Sequence, residues 1–569
     1  MLAPMTRRFS VLAAVLRSSL LRRLELAYLL FAFGEWATWV AVIVYAYGRG
    51  GVGEAGLVAF IELAPSVVLA PAVAALGDRF ARDLVLLGTY ATQAALMAIA
   101  AVALAVGSDP LVIYALAVVS ATLVSFSRPV HAALMPEVVE SPDELTAANV
   151  VSGMLESAGT LIGPLGAGLL IGAGGPAAVF GVAAFLNLIS SGAVISVARR
   201  RRRDAASMGV RAVLPLDRPV EVGPDHARHL RATAVQLVGG LAAILADERL
   251  RAVVLIATWA TFLVGAMDIL YAVLAIELMG LGGQGVGFVG ALGGIGAIVG
   301  SIGGLLLVGR ERLGIALVGS ALLYGGGIAA IAVAPGSVAA ASLLVVAGIG
   351  SGLTYVGAQT LIHRLAGDDV MSRVFGVLQG LMMGTSALGA LAVPIVIAIA
   401  GNRATFAVAG LSLPVVLGLV GWVIIRDDRL DVGRAGELRL LRGVPMLAPL
   451  SGPILERLAG GLSRIQRPAG SIVIREGDAG DRFYIIEAGT VDVSVNGQAV
   501  RRLGPGEGFG EIALVRDVPR TATVTVVEDA VLLGVDRGPF VDALGGQARS
   551  RTIASVLVDD RLAADVARS

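Results

Sequence analysis

"ARRRRRD", residues 198–204, is the stretch on which the reading of the fold turns. An arginine run cannot enter a bilayer, because each basic side chain costs about 3 kcal/mol at the centre of a membrane helix. The chain on either side of it is nonetheless strongly apolar. A crossing helix needs about 20 apolar residues. On that rule six spans precede the run, at 24–46, 55–76, 84–106, 110–126, 145–172 and 176–197. Six more follow, at 252–278, 285–308, 313–334, 337–361, 373–399 and 404–425. The polar segment 198–251, which also carries Arg211, Arg218, Arg228 and Arg231, divides the two sets.

The composition of the 569 residues agrees with this. Hydrophobic residues make up 56% and charged residues 15%, with a mean hydropathy of +0.83, whereas a soluble domain is about 25% charged. The expected fold class is therefore an α-helical polytopic membrane protein with 12 transmembrane helices in two six-helix halves. A net charge of +1, with the basic residues in short segments, gives no basic face for a nucleic-acid partner. Cysteine is absent, which excludes disulfides, thiolate catalysis and cysteine-ligated zinc.

Orientation follows from where the arginines lie. The 198–251 divider, "GDRFARD" (77–83), "SRP" (127–129), "GRER" (309–312) and "HRLAGDDVMSR" (363–373) are predicted to be cytoplasmic. The intervening loops hold only Arg49 and Arg403, so both termini fall inside. Residues 1–23 read as a basic amphipathic helix on the cytoplasmic surface rather than a cleaved signal. Ser141, Pro142 and Glu144 give the fifth span a capped start. The four histidines, His131, His226, His229 and His363, lie in or beside cytoplasmic loops, read as solvated and show no metal-ligand spacing.

Hydropathy collapses after 426. A linker at 427–445 leads into a soluble domain at 446–569, whose short alternating runs and Gly-centred turns predict a small β-roll followed by helices. Within it, "FGEIALVRDVPRTATV" (509–524) has the parts of an anion cradle. Gly508 and Gly510 admit close backbone approach, Glu511 to Leu514 can turn N–H groups toward a phosphate, and Arg520 is a bidentate cation.

"FGEIAL" followed by "PRTAT", preceded by "REGDAGDRFYIIEAGTV", resembles the cyclic nucleotide-binding domain shared by the catabolite activator protein and the regulatory subunits of cAMP-dependent kinase. The resemblance implies that cAMP or cGMP is a regulatory ligand, held by Gly510, Glu511, Ile512, Ala513, Arg520 and Thr521. Glu511 would take the ribose hydroxyl and Arg520 the cyclic phosphate, with Thr521 on the phosphate or a guanine amino group. Gly477, Gly480 and Gly489 would be turn residues. One of Ile553, Val556 and Leu557 would cap the base as a lid, although a stripe at that spacing also suits plain helix packing.

The two sets of six spans resemble the major facilitator superfamily, whose halves flank a midplane site. "ALGDRFARD" (75–83) is similar to that family's gating loop, and retains Asp78, Arg79 and Arg82. "GTLIGPLGAGLL" (159–170) is similar to its antiporter element, and with "SRPVHAALMPEVV" (127–139) suggests the exporter branch that includes the enterobactin exporter. That branch implies a bacterial inner membrane.

Four acids fall inside spans with no arginine in mid-span to pair with them: Glu35, Glu62, Glu156 and Asp268. Each is a candidate for proton relay or for a cationic substrate, or is a neutral acid in one interhelical hydrogen bond. Trp36, Trp39, Trp259, Phe262 and Tyr271 could line a cavity or pack in the core. The expected function is a secondary transporter, a proton-coupled exporter of a small molecule regulated by cyclic nucleotide. A lipid or lysolipid transporter and a non-transporting nucleotide receptor are the alternatives. A nucleotide-gated channel lacks its TVGYG-type filter. No Walker loop, nucleophile–base pairing or metal cluster points to an enzyme.

Overall fold

The structure is a computed structural model that describes residues 18–77, 81–139, 142–207, 238–305, 312–366, 370–433, 435–450, 452–545, 550 and 552–559. It divides into two compact units, 1–425 and 426–569.

In the first unit ten helices are long and apolar enough to cross a membrane, among the described residues. They are α1 (Ser19–Gly77), α2 (Arg82–Ala105), α3 (Pro110–Leu134), α4 (Pro142–Ser207), α5 (Glu248–Ala272), α6 (Gly282–Leu305), α7 (Leu313–Ile331), α8 (Ser337–Leu365), α9 (Met371–Ala400) and α10 (Asn402–Gly433). α1 and α4 are each divided by a glycine pair with non-helical torsions. In α1, Gly50 and Gly51 have φ of −127° and +64°; in α4, Gly174 and Gly175 have φ of −154° and +70°. An undivided α1 would be roughly 90 Å long, about three hydrocarbon cores, so each pair is where the chain turns back into the bilayer. α5 continues as a π-helical turn, Val273–Leu278.

The two halves meet through small residues. α4 packs on α1 and, across the divide, on α6, while α9 packs on α5 and on α1. A Cβ on Gly287 of α6 would lie 2.1 Å from the carbonyl oxygen of Pro164 in α4, so that crossing requires glycine. The "GTLIGPLGAGLL" element is therefore a contact surface between halves.

Three sequence expectations change here. The first helix begins at Ser19 and runs without interruption into the first span, so residues 19–23 are not a separate surface helix; residues 1–17 lie outside the described residues. The stretch read as a linker, 427–445, is largely helical, because α10 reaches Gly433 and α11 spans Ala435–Gly443. Falling hydropathy ends a span without ending a helix, and Arg, Leu and Glu all favour helix. "SRP" (127–129) is not a loop: α3 passes through Arg128 and Pro129 to Leu134, which carries an arginine into the bundle.

In the second unit, α12 (Gly452–Gly460) precedes six antiparallel strands: β1 (Ser463–Arg467), β2 (Ile472–Ile474), β3 (Arg482–Val495), β4 (Gln498–Leu503), β5 (Gly508–Phe509) and β6 (Thr523–Asp536). The order is β1-β6-β3-β4, with β2 on β6 and β5 on β3. A short helix, α13 (Glu511–Arg516), follows β5, and α14 (Arg537–Gly545) follows β6.

Strand periodicity gives the sheet two apolar faces. Phe483, Ile485, Leu533 and Val535 pack on the helical side with Leu441, Leu447 and Phe540. Their neighbours Tyr484, Ile486, Leu532 and Val524 face the other way, with Leu503 and Phe509. Register shifts along β3 against β6 bend the pair into a roll. Asp492 and Arg502 stand opposite each other across β3 and β4 and form a two-pronged pair at 2.7 and 2.9 Å, which holds the Asp492 carboxyl below its usual range.

Candidate functional site

Gly510 sits between β5 and α13 with φ +90°, a conformation open to glycine. A Cβ there would lie 2.6 Å from Nη1 of Arg520. That arginine is almost wholly enclosed, its side chain 3% exposed. Nη1 donates to the Gly510 carbonyl at 2.9 Å, and Nη2 donates to the Arg482 carbonyl at 2.8 Å and to Asp481 Oδ1 at 2.9 Å. Its backbone is stitched as well: Gly477 N–H donates to the Arg520 carbonyl and Arg520 N–H donates to that of Asp478, both at 2.8 Å. "REGDAGDR" and "PRT", distant in sequence, are thereby zipped together. Among the described residues, Nε–H and one N–H of Nη1 have no protein acceptor.

All six residues predicted for the nucleotide, Gly510, Glu511, Ile512, Ala513, Arg520 and Thr521, line one concavity. Glu511 is 1% exposed. Ile474, Val493, Leu503, Phe509 and Val524 supply an apolar wall on the roll's inner face. The arrangement combines a fixed guanidinium, a buried carboxyl group, backbone N–H groups and a flat apolar wall. Burial raises Tyr484, whose ring stacks on Phe509 at 5.3 Å, above the usual phenol range, and the nearby Asp481 adds to this.

Arg501 also lines the concavity, and sequence reasoning missed it. It stands opposite Val493 in the β3–β4 register. Strand alternation was the available signal, since Arg501 shares parity with the inward Leu503, and Arg502 points away to Asp492.

Of the three lid candidates, none lines this concavity. Ile553 and Leu557 pack against the helical-side cluster around Phe540, and Val556 is 54% exposed. The apolar stripe at helical spacing serves helix packing in this structure. Gly477 and Gly489 have positive φ, as turn residues do, whereas Gly480 is a close-approach position whose Cβ would lie 2.8 Å from that of Ala513.

The four membrane acids do not converge. Arg128 Nη1 pairs with Glu35 Oε1 at 3.0 Å, and Nη2 pairs with Glu156 Oε1 at 2.5 Å. This corrects the expectation that these acids lack a mid-span cation. The cause is the helical passage through Pro129; a span ending at 126 was short for the bilayer, and that shortness was the signal. Tyr28 OH donates to Glu156 Oε2 at 2.5 Å, and the ring of His131 stacks on Tyr28 at 4.2 Å. His131 is 3% exposed, which corrects its reading as a solvated loop residue, and Ser152 Oγ donates to Glu25 at 2.7 Å beside it. His363 stays exposed at the end of α8, bonded to the Gln359 carbonyl at 2.7 Å; His226 and His229 lie outside the described residues. Glu62 is buried apart from the others, 3% exposed.

Asp268 differs from the other acids because it lines a cavity of about 260 Å³. Trp36 and Trp39 of α1, Pro164 of α4, Tyr271 of α5 and Tyr324 of α7 share its wall, so both halves contribute. Trp259 and Phe262 do not line it; they stack on each other at 5.0 Å, and Trp259 Nε1 donates to Ser412 Oγ. Of the gating-loop residues, Asp78 and Arg79 lie outside the described residues. Arg82 Nη1 donates to the Ala133 carbonyl at 2.7 Å and pairs with Glu137 at 2.9 Å, tying the start of α2 to the end of α3.

Comparison with known proteins fits this geometry. Residues 464–545 match the cyclic nucleotide-binding domain, and residues 24–390 match the Major Facilitator Superfamily. An uncharacterized protein of Mycobacterium tuberculosis is 38% identical over 119 residues, 21% of this chain and 23% of that protein. The cAMP-dependent protein kinase regulatory subunit of Aspergillus niger is 38% identical over 124 residues, 21% of this chain and 30% of that one. The chain thus spans less than a third of the length of these curated relatives. Among solved structures, the regulatory domain of Toxoplasma gondii PKA, crystallised with cAMP, is 31% identical over 20% of this chain and 44% of its own, with a TM-score of 0.19. With its match covering well over half of the sequence, the chain belongs to the Major Facilitator Superfamily and carries a C-terminal cyclic nucleotide-binding domain.

Proposed function

We propose that the chain is a secondary active transporter, a proton-coupled exporter of a small molecule whose cycle responds to cAMP or cGMP. The observation that carries this reading is the convergence of Gly510, Glu511, Ile512, Ala513, Arg520 and Thr521 on one cleft, in the same chain as a membrane unit whose two halves share a cavity. In the cleft, Arg520 offers its remaining N–H groups to the cyclic phosphate beside the backbone N–H groups of Ile512 and Ala513. Glu511 accepts from the ribose 2′-OH, and the wall of Val493, Leu503 and Val524 takes the base face. Gly510 fits this role, because any larger residue would fill the space against Arg520.

With α1 and α4 each counted as two spans across their glycine pairs, the bundle has twelve in two sets of six. The arginine-rich segments favour a cytoplasmic placement of the termini and the nucleotide domain, and the resemblance to the exporter branch favours a bacterial inner membrane. The small-residue contact of α4 with α6 supports the transporter reading, since it lies where rocking halves must slide. Nucleotide controls the cycle to the extent that it binds inward-facing and outward-facing states unequally.

Calorimetric titration of the full-length protein with cAMP and cGMP tests the cleft. Binding is expected for the wild type and is lost in Arg520→Ala with the membrane unit still folded; unchanged affinity in that variant overturns the assignment. Flux in proteoliposomes with and without nucleotide, and with and without a proton gradient, tests the rest.

A further inference from the structure

Resting on the reading of the cleft as a cyclic nucleotide site, we propose that it selects cGMP over cAMP and that Arg501 reads the base. Four polar side chains line the cleft: Arg501, Glu511, Arg520 and Thr521. Arg520 is held by Gly510, Arg482 and Asp481, at the turn that would cradle the phosphate. Glu511 is enclosed in that same turn, at the start of α13. Arg501 enters from β4, which pairs with the far end of β3 from the β5 turn. It stands beside Val493 of β3, which is paired in turn with Val524 of β6, and all three line the concavity. With strands about 4.8 Å apart, this row is an apolar floor of two valines ending in a guanidinium. The neighbouring Arg502 is engaged by Asp492, whereas Arg501 has neither an ion pair nor a side-chain hydrogen bond among the described residues.

The apolar floor does not choose between purines, because valine and leucine meet either ring face alike. The edge of the base does. A guanidinium carries donors and no acceptor. Guanine presents two acceptors, O6 and N7, side by side on one edge, whereas adenine presents N7 beside an amino donor. Arg501 can therefore form a two-pronged pair with guanine, while against adenine one of its prongs meets a donor. The lining holds no amide side chain, and its carboxyl group, Glu511, belongs to the turn at the other end of β3, so nothing beside Arg501 takes the amino hydrogen of adenine. Thr521 has a hydroxyl, which donates and accepts and so serves either base. The selection falls to Arg501.

Calorimetric titration of the full-length protein with cGMP, cAMP and cIMP provides the test. Hypoxanthine, the base of cIMP, keeps O6 and N7 and lacks the 2-amino group, so this probe isolates the edge that Arg501 meets. The wild type is expected to bind cGMP at least about tenfold tighter than cAMP, with cIMP within about threefold of cGMP. In Arg501→Ala the preference shrinks to about threefold or less, cGMP losing more than cAMP. Arg501→Gln moves the balance further toward cAMP, because a glutamine amide pairs with the N7 and amino group of adenine. Retained cAMP binding shows that a variant keeps its cleft, and the cIMP comparison needs no variant, so it decides even if Arg501→Ala fails to fold. Equal affinities in the wild type, tighter binding of cAMP, cIMP that binds like cAMP, or an undiminished cGMP preference in either variant overturns the proposal and leaves the cleft a cyclic nucleotide site. No binding of any of the three by monodisperse wild type sinks that reading, and the proposal with it.

Discussion

Nη1 of Arg520 donates to the carbonyl oxygen of Gly510 at 2.9 Å, so the cation of the cleft is aimed by the backbone turn that forms the opposite edge of that cleft. Gly510→Ala strikes both members of this relationship, because the new methyl meets the guanidinium and a φ of +90° is strained for alanine. The expected result is a loss of about 1–2 kcal/mol in stability of the nucleotide domain and a fall in cAMP affinity of about tenfold or more. Chemical denaturation and calorimetry on the full chain read both, and wild-type affinity would show that the turn does not aim the arginine.

Arg501 adds a second cation to the concavity. Arg501→Ala is expected to weaken cyclic nucleotide binding by about threefold to tenfold, less than Arg520→Ala, because Arg501 is less enclosed and its field is better screened. Arg501→Glu should weaken it further. Titrations at low and high salt check this: the gap between wild type and Arg501→Ala narrows with salt if the effect is electrostatic.

Removing Arg128 alone leaves Glu35 and Glu156 without their shared cation. Arg128→Met is expected to destabilise the bundle by about 2 kcal/mol, below the range for a fully buried pair because the guanidinium is partly exposed. The triple variant Arg128→Met with Glu35→Gln and Glu156→Gln should recover most of that loss. Thermal unfolding of the detergent-solubilised protein reads the difference, and equal destabilisation of single and triple variants would mean that charge balance is not what the arginine provides.

Much of this molecule was legible in its residues, for reasons particular to each part. Membrane spans declare themselves because the bilayer demands an apolar run of fixed length. The cleft declares itself because Gly510, Glu511 and Arg520 lie close in sequence around one turn. Arg128 did not, since a proline usually ends a helix, and here α3 passes through it. The choice of Asp268 over Glu62 for the cavity depends on how each helix is rotated about its axis, and all-round apolar helices carry no stripe from which to read that rotation. The fate of Ile553 and Leu557 was hidden for a related reason: an apolar stripe shows that a helix packs, not what it packs against.

The glycine pairs that divide α1 and α4 have a mechanical consequence. Each joins two membrane-length arms with almost no slack between them, so an arm has no free loop to lengthen when tension is applied. Drawn from the bilayer by a force probe attached to one end of the chain, each divided helix should leave as a single paired hairpin rather than arm by arm.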